Sequence, residues 1–153
     1  MTRFLAPNKL LVGLISFADH LATVRKALQM IVGLHHAQIT VSPEQEQAAR
    51  DFYCHILKLS EVPKPEILQS RGGFWLKVGN LTVHVGLEQD VDRTRSKAHL
   101  AYEVTDLSLW RRTIENYGLD IIDGIPIPGF NRFEFRDPFG NRVELIQNCD
   151  TGG

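Results

Sequence analysis

Two cysteines, no surplus of either charge and no apolar run long enough to cross a bilayer remove several classes of protein before any motif is read. Cys54 falls within a helical pattern and Cys149 lies near the C-terminus. Neither has metal-ligand spacing and together they make no disulfide framework, so both are read as reduced thiols and the compartment as cytoplasmic. With 17 basic and 18 acidic residues and no block of like charge, the chain offers no field for nucleic acid or a membrane surface. A small neutral or anionic molecule is the partner this leaves open. The longest apolar stretch, Leu10 to Ala18 behind Arg3 and Lys9, resembles a signal-peptide core, but Asp19-His20-Leu21-Ala22 is a poor cleavage site and the run is too short to span a membrane. An amphipathic helix over about Phe17 to Met30, with Leu21, Val24, Leu28 and Ile31 at helical spacing, and a natural start at Met30 are the two alternatives for this region. Residues 1–32 are accordingly expected to be an N-terminal extension and 33–149 a single domain, a chain length at which roughly 70% of the unfolded surface is buried.

Against this plain background, four strand-like segments each carry one potential metal ligand on their polar side. In Leu34 to Val41, Ala37, Ile39 and Val41 share one face while His36, Gln38 and Thr40 share the other, because successive strand side chains point to opposite sides. In Lys97 to Val104, Leu100, Tyr102 and Val104 oppose His99, Ala101 and Glu103, so His36 and His99 hold equivalent places. Val83 and Val85 oppose His84, and Val143 and Leu145 oppose Glu144, although Ile146 falls on the side of Glu144. Imidazole and carboxylate bind divalent cations at neutral pH, so this shared parity suggests a metal-centred cavity. A slip of one residue would turn any of the four away.

The chain also repeats itself with an offset of about 63 residues, the spacing of His36 and His99. The first unit, 33–87, reads as a strand (34–41), a helix (43–58), a short strand near Ser60 to Val62, a strand Gly73 to Val78, a turn at Gly79-Asn80 and a strand Leu81 to Leu87. Ser42, Pro43 and Gln45 predict a capping box at the start of its helix, with Ala48, Ala49, Phe52, Ile56 and Leu59 as the buried stripe. After a polar linker, Glu88 to Ser96, the second unit, 97–149, follows the same order. Its helix runs from about Leu107 to Tyr117, capped by Thr105 or Asp106, closed by Gly118 and facing inward through Leu107, Trp110, Ile114 and Tyr117. Short strands at Asp120 to Ile122, Arg132 to Arg136 and Arg142 to Gln147 complete it. The predicted fold is α+β: tandem βαβββ modules whose curved mixed sheets surround a cavity, with the helices outside.

The opening Leu34-His35-His36-Ala37-Gln38-Ile39-Thr40-Val41, the central Ala98-His99-Leu100-Ala101-Tyr102-Glu103-Val104 and the closing Arg136-Asp137-Pro138-Phe139-Gly140-Asn141-Arg142-Val143-Glu144-Leu145 resemble the vicinal oxygen chelate superfamily. That superfamily includes glyoxalase I, extradiol dioxygenases, methylmalonyl-CoA epimerase, fosfomycin-resistance proteins and metal-free bleomycin-resistance proteins. The resemblance covers about Gly33 to Gln147, and its most specific part is the closing Asp-Pro-x-Gly-Asn-x-x-Glu segment. It implies that His36, His84, His99 and Glu144 are the ligands of the first, fourth, fifth and eighth strands, and that one divalent metal ion (Zn, Ni, Co, Mn or Fe) is the cofactor. His84 stands where several members carry Glu or Gln, five residues beyond Gly79, whereas Glu144 stands four beyond Gly140. The resemblance also implies a homodimer.

A cation held by three imidazoles and one carboxylate keeps one or two positions open for paired substrate oxygens. The leading expectation is a glyoxalase-like lyase or isomerase, in which Glu144 doubles as the proton acceptor, as the resemblance to glyoxalase I allows. Glu103 and Glu134 share cavity-side parity and are further candidates for the base; Trp75, Lys77 and Arg132 share it too and could supply an apolar wall and an anion anchor. Two alternatives stay open: a non-haem iron ring-cleaving dioxygenase, and a metal-free binding protein like the bleomycin-resistance members. His35 is expected on the apolar side as a structural residue, and His20 and His55 as solvated side chains. Arg136 and Arg142 are expected to brace the last turn, and Gly72-Gly73 to mark a close backbone approach, not a phosphate loop.

Overall fold

The computed structural model describes residues 31–149 together with Ser16. The chain divides into two compact units, Met1–Leu34 and His35–Gly153, and every described element lies in the second. The N-terminal expectations, from the signal-like run and His20 to the helix over about Phe17 to Met30, lie outside the described residues.

In chain order the elements are β1 (His36–Val41), a 3₁₀ turn (Pro43–Gln45) leading into α1 (Glu46–Asp51), a π-helical turn (Phe52–Ile56), β2 (Ser60–Val62), α2 (Glu66–Gln69), β3 (Phe74–Val78) and β4 (Leu81–Leu87). A 3₁₀ turn (Arg93–Arg95) connects these to β5 (His99–Glu103), α3 (Leu107–Asn116), β6 (Ile121–Asp123), β7 (Phe130–Arg136) and β8 (Arg142–Asn148). They form two four-stranded mixed sheets of order β1-β4-β3-β2 and β5-β8-β7-β6. In each, the first strand runs parallel to the last and the other pairs are antiparallel. Parallel partners need a long crossover, supplied by the helical segment and the short β2 or β6 strand, whereas the antiparallel β3–β4 pair closes through a tight turn at Gly79. The α+β architecture of tandem βαβββ units is therefore present, with α2 and the Arg93–Arg95 turn added to it.

The apolar sides of both sheets and the helices share one core, in which Val41, Ala49, Tyr53, Leu76, Ile114, Phe133 and Phe135 are completely buried. The first helix departs from its expected form. Ser42 makes no side-chain cap; its carbonyl instead accepts from Gln45 N at 2.9 Å, and the segment starts as a 3₁₀ turn. Further on, Leu57 N bonds Phe52 O, the five-residue π spacing, and Leu59 N bonds Tyr53 O one residue wider still. The buried stripe differs from the expected one: Tyr53 and Leu57 on and after the π turn are buried, and Ala48 in α1 is exposed. The second helix has the expected ends, Asp106 Oδ1 accepting from Leu109 N at 2.8 Å and Gly118 leaving the helix at φ +88°, but Tyr117, expected to face inward, is exposed.

A polar knot ties the two modules together. Asp137, almost fully buried at the head of the β7–β8 turn, accepts hydrogen bonds from Phe139 N (3.0 Å), Asn141 N (2.7 Å), Asn141 Nδ2 (3.0 Å) and the Tyr53 hydroxyl (2.5 Å). Asn141 Nδ2 also reaches Thr40 O on β1 at 3.1 Å. The linker is part of this seam: Arg93 is buried and donates to Thr40 Oγ1 (3.0 Å) and to the carbonyls of Glu88 (2.8 Å) and Val91 (3.2 Å). Replacing Asp137 with alanine removes one carboxylate and strands four donors, three of them in the turn and one on the helix side. Urea unfolding of Asp137→Ala is expected to show a loss of roughly 2–4 kcal/mol, against about 1–2 kcal/mol for Tyr53→Phe.

Candidate metal centre

The strand registers decide how the four expected ligands relate. On the β1–β4 pair, Gln38 stands opposite His84, so His36 lies two residues before the partner of His84. On β5–β8, Ala101 stands opposite Glu144, so His99 lies two residues before the partner of Glu144. His84 and Glu144 thus occupy equivalent places despite the different turns that precede them. The third strands correspond as well: Trp75 faces His84 as Glu134 faces Glu144.

Each module therefore brings two of the four expected ligands together on one face. In the first, the His36 and His84 rings stack at 4.3 Å between centroids, and Trp75 stacks on the other side of His84 at 4.0 Å with 3° between planes. Burial, then the neighbouring His36, His35 and Lys64, pushes the His84 pKa below its ordinary value, which keeps the ring in the neutral form that binds metals. His35 is not on the apolar side; it is exposed at the entry to β1, where its Nδ1 meets Nδ1 of His36 at 3.0 Å. His55 is solvent-facing on the π turn, 3.8 Å from Asp51.

In the second module, His99 Nδ1 lies 3.0 Å from the carbonyl of Lys97, and its Nε2 lies 3.0 Å from Glu144 Oε2. Donation of Nδ1–H to that carbonyl leaves a lone pair on Nε2 facing a carboxylate. Two such groups stay together only with a proton or a cation between them. A separation of about 3 Å is also what adjacent ligands of an octahedral ion show at bond lengths of about 2.1 Å. The donor set fits a divalent cation. His99, Glu134 and Glu144 form the group of three potential ligands found within 4.8 Å of one another among the described residues, and neither His36 nor His84 belongs to it.

Arginines balance the two carboxylates. Glu134 and Glu144 stand directly opposite on β7 and β8, and both are buried. Arg132 Nη1 contacts Glu134 Oε1 at 3.0 Å and Glu144 Oε1 at 3.1 Å, while Arg142 binds Glu134 Oε2 through Nε (2.5 Å) and Nη2. Burial would raise the Glu134 pKa, but the hydrogen bonds from Arg142 and Arg132 outweigh it and hold the carboxyl below its usual range. That makes Glu134 a weak base and a strong brace. Gly124 leaves the room for Arg132, since a Cβ there would meet its guanidinium at 2.7 Å. Arg136, as expected, braces the turn through the carbonyls of Gly140, Arg93 and Ser96, whereas Arg142 turns to Glu134 instead.

Lys77 and Glu103, expected on the cavity side, line a separate apolar cavity of about 250 Å³ with Leu57, Leu59, Val104 and Trp110. Trp75 stays with His84, in a cavity of about 330 Å³ that also takes Gln38, Lys64 and Arg71. Sequence reading missed Lys64 and Arg71; their signal was two basic residues flanking the short loop that ends in Gly72-Gly73. That glycine pair is a close approach: a Cβ on Gly73 would lie 2.2 Å from the Val85 carbonyl, and φ there is +71°.

Residues 33–145 match the model of the Glyoxalase/Bleomycin resistance protein/Dioxygenase superfamily, and the chain belongs to that superfamily. Among solved structures it is similar to a glyoxalase family protein from Bacillus anthracis, with 37% identity over 77% of this chain and 96% of that one and a TM-score of 0.70. The fold is shared with the lactoylglutathione lyase of Agrobacterium tumefaciens (19% identity, 76% and 94% of the two chains, TM-score 0.58). It is shared too with the fosfomycin resistance protein FosX of Listeria monocytogenes in complex with Mn(II) and sulfate (18% identity, 80% and 96%, TM-score 0.62). No curated protein sequence matches the chain. No helix among the described residues is long and apolar enough to cross a membrane.

The depressed Glu134 pKa sets a pH signature. A carboxylate more acidic in the folded than in the unfolded chain adds stability above its unfolded pKa of about 4.3, and the gain disappears as pH falls through the folded value. Glu134→Gln should therefore lower the unfolding midpoint at neutral pH, with the gap narrowing as pH falls below the unfolded value of about 4.3. An equal gap at pH 3 and pH 7 would contradict the brace.

Proposed function

We propose that the protein is a divalent-metal-dependent enzyme of the glyoxalase kind, a lyase or isomerase acting on a small substrate held through vicinal oxygens, and that its centre is completed in a homodimer. The observation that carries this reading is the His99–Glu144 pair, tautomerically set by Lys97 O and separated by the spacing of adjacent metal ligands. His36, His84, His99 and Glu144 are the proposed ligands. Two ligands make a weak site and four a strong one, so the half-site of one module needs its complement. Pairing the first module of one copy with the second module of another supplies it. Exposed apolar side chains on and beside the β6–β7 loop, Ile122, Ile125, Ile127 and Phe130, are consistent with association.

When bound, the cation supplies Lewis acidity at the paired substrate oxygens and stabilises the negative charge that develops on them. Glu144 is the proposed proton acceptor at the adjacent carbon, its Oε1 aligned by Arg132. Glu134 keeps Arg132 in place and takes no proton itself. Trp75 and His84 exclude water from one wall.

Protein purified without chelator is expected to hold close to one divalent ion per chain, and His36→Ala, His99→Ala and Glu144→Ala to lose it; a metal-free parent would sink the reading. The dimeric arrangement has its own signature. Co-refolding His36→Ala with Glu144→Ala should restore metal to one site of the two in each mixed dimer, because one site then receives both intact halves. Four ligands gathered within a single chain would restore none.

A further inference from the structure

The loop between β2 and β3 lies beside the His84 face. Its closing residues Gly72 and Gly73 take positive φ, and the absence of a Cβ on Gly73 allows the backbone to sit against Val85 O of β4. Lys64, at the other end of the loop, donates Nζ to the carbonyls of Gly72 and Gly73, which draws the loop closed. The resulting cavity of about 330 Å³ is lined by Gln38, Lys64, Leu68, Arg71, Trp75 and His84 among others, and no carboxylate lines it. This volume is at the small end of the range for metabolite sites.

Its charge is unbalanced. The Lys64 ammonium spends its contacts on neutral carbonyls, and the exposed Arg71 guanidinium has no hydrogen bond or ion pair among the described residues. Beyond Gly72 a separate cavity holds two acids, Glu46 and Glu61, beside Lys64, and both are bound to Arg50. Two cations that line one cavity together with an aromatic ring and a proposed metal ligand form a receptor for an anion with a short apolar body.

We infer that the substrate carries an anionic group, a carboxylate, phosphonate or phosphate, which Lys64 and Arg71 hold while Trp75 and Leu68 flank its body. This rests on the reading of the His84 face as the substrate cavity. Arg71 and Lys64 then act as specificity-determining residues: they bind the end of the molecule remote from the reacting carbon and contribute nothing to metal affinity.

Calorimetric titration of the full-length protein with phenylphosphonate, phenylacetate and neutral benzyl alcohol tests it. Saturable binding of the two anions is expected, at least tenfold tighter than benzyl alcohol and weakened by salt. Arg71→Gln and Lys64→Gln should each raise the Kd about tenfold or more, with Arg71→Lys and Lys64→Arg recovering most of the affinity. Arg71 is exposed, so its variants keep the test intact even where loss of the Lys64 tie disturbs the loop. Absence of saturable anion binding, equal affinity for benzyl alcohol, or an unchanged Kd in Arg71→Gln would overturn the proposal. The same titration on Glu144→Ala separates the two readings. Binding that still depends on Arg71 in a variant without metal supports the anion site, and persists even if the parent itself proves metal-free.

Discussion

Parallel pairing of the first and last strands of each module is the constraint from which the candidate centre follows. It brings together side chains some 45 residues apart in sequence, His36 with His84 and His99 with Glu144, on one face and at the same stagger. The helical crossover that parallel pairing requires also supplies the core, through Phe52 and Tyr53 in one module and Ile114 in the other. Site and core are thus two faces of the same topology. The polar face is left free to carry ligands because the apolar face has already been covered.

Holding two carboxylates opposite each other on adjacent antiparallel strands is unfavourable without compensation. Arg132 and Arg142 provide it, and they do so unevenly. Glu134 receives contacts from both arginines, whereas Glu144 shares one with it and turns its second oxygen to His99. The asymmetry separates the two: Glu134 is fixed by both arginines, while Glu144 keeps one oxygen turned to His99. In the first module Trp75 stands where Glu134 stands in the second, so the repeat offers an aromatic stack on one side and an ionic brace on the other. A repeated fold has been given two different third-strand neighbours, one for His84 and one for Glu144.

Much of this was legible in the chain itself. Period-two alternation places His36, His84, His99 and Glu144 on polar faces, and the strands containing them appear in the structure within one or two residues of their expected bounds. Asp106 and Gly118 marked the second helix because their side-chain and backbone chemistry acts locally. What could not be read depends on distant partners. The π turn buries Tyr53, whose hydroxyl donates to Asp137 more than eighty residues later. Arg93 looked like part of a solvated linker, yet Thr40 and the carbonyls of Glu88 and Val91 draw it inside. Lys77 and Glu103 had the right parity but sit toward the other end of their strands, where parity says nothing about depth along the sheet. Arg142 went to Glu134 and not to the turn because a buried carboxylate competes better for a guanidinium than exposed carbonyls do.

The central claim is that two half-sites, equivalent by strand register, close around one ion only when two copies meet. A crystal structure of the metal-loaded protein, with the ion located by its anomalous scattering, tests this directly. A single ion per chain is expected, bonded to His36 and His84 of one protomer and to His99 and Glu144 of its partner. An ion held within one chain by His99, Glu134 and Glu144 alone, with His36 and His84 turned away from it, would contradict the account.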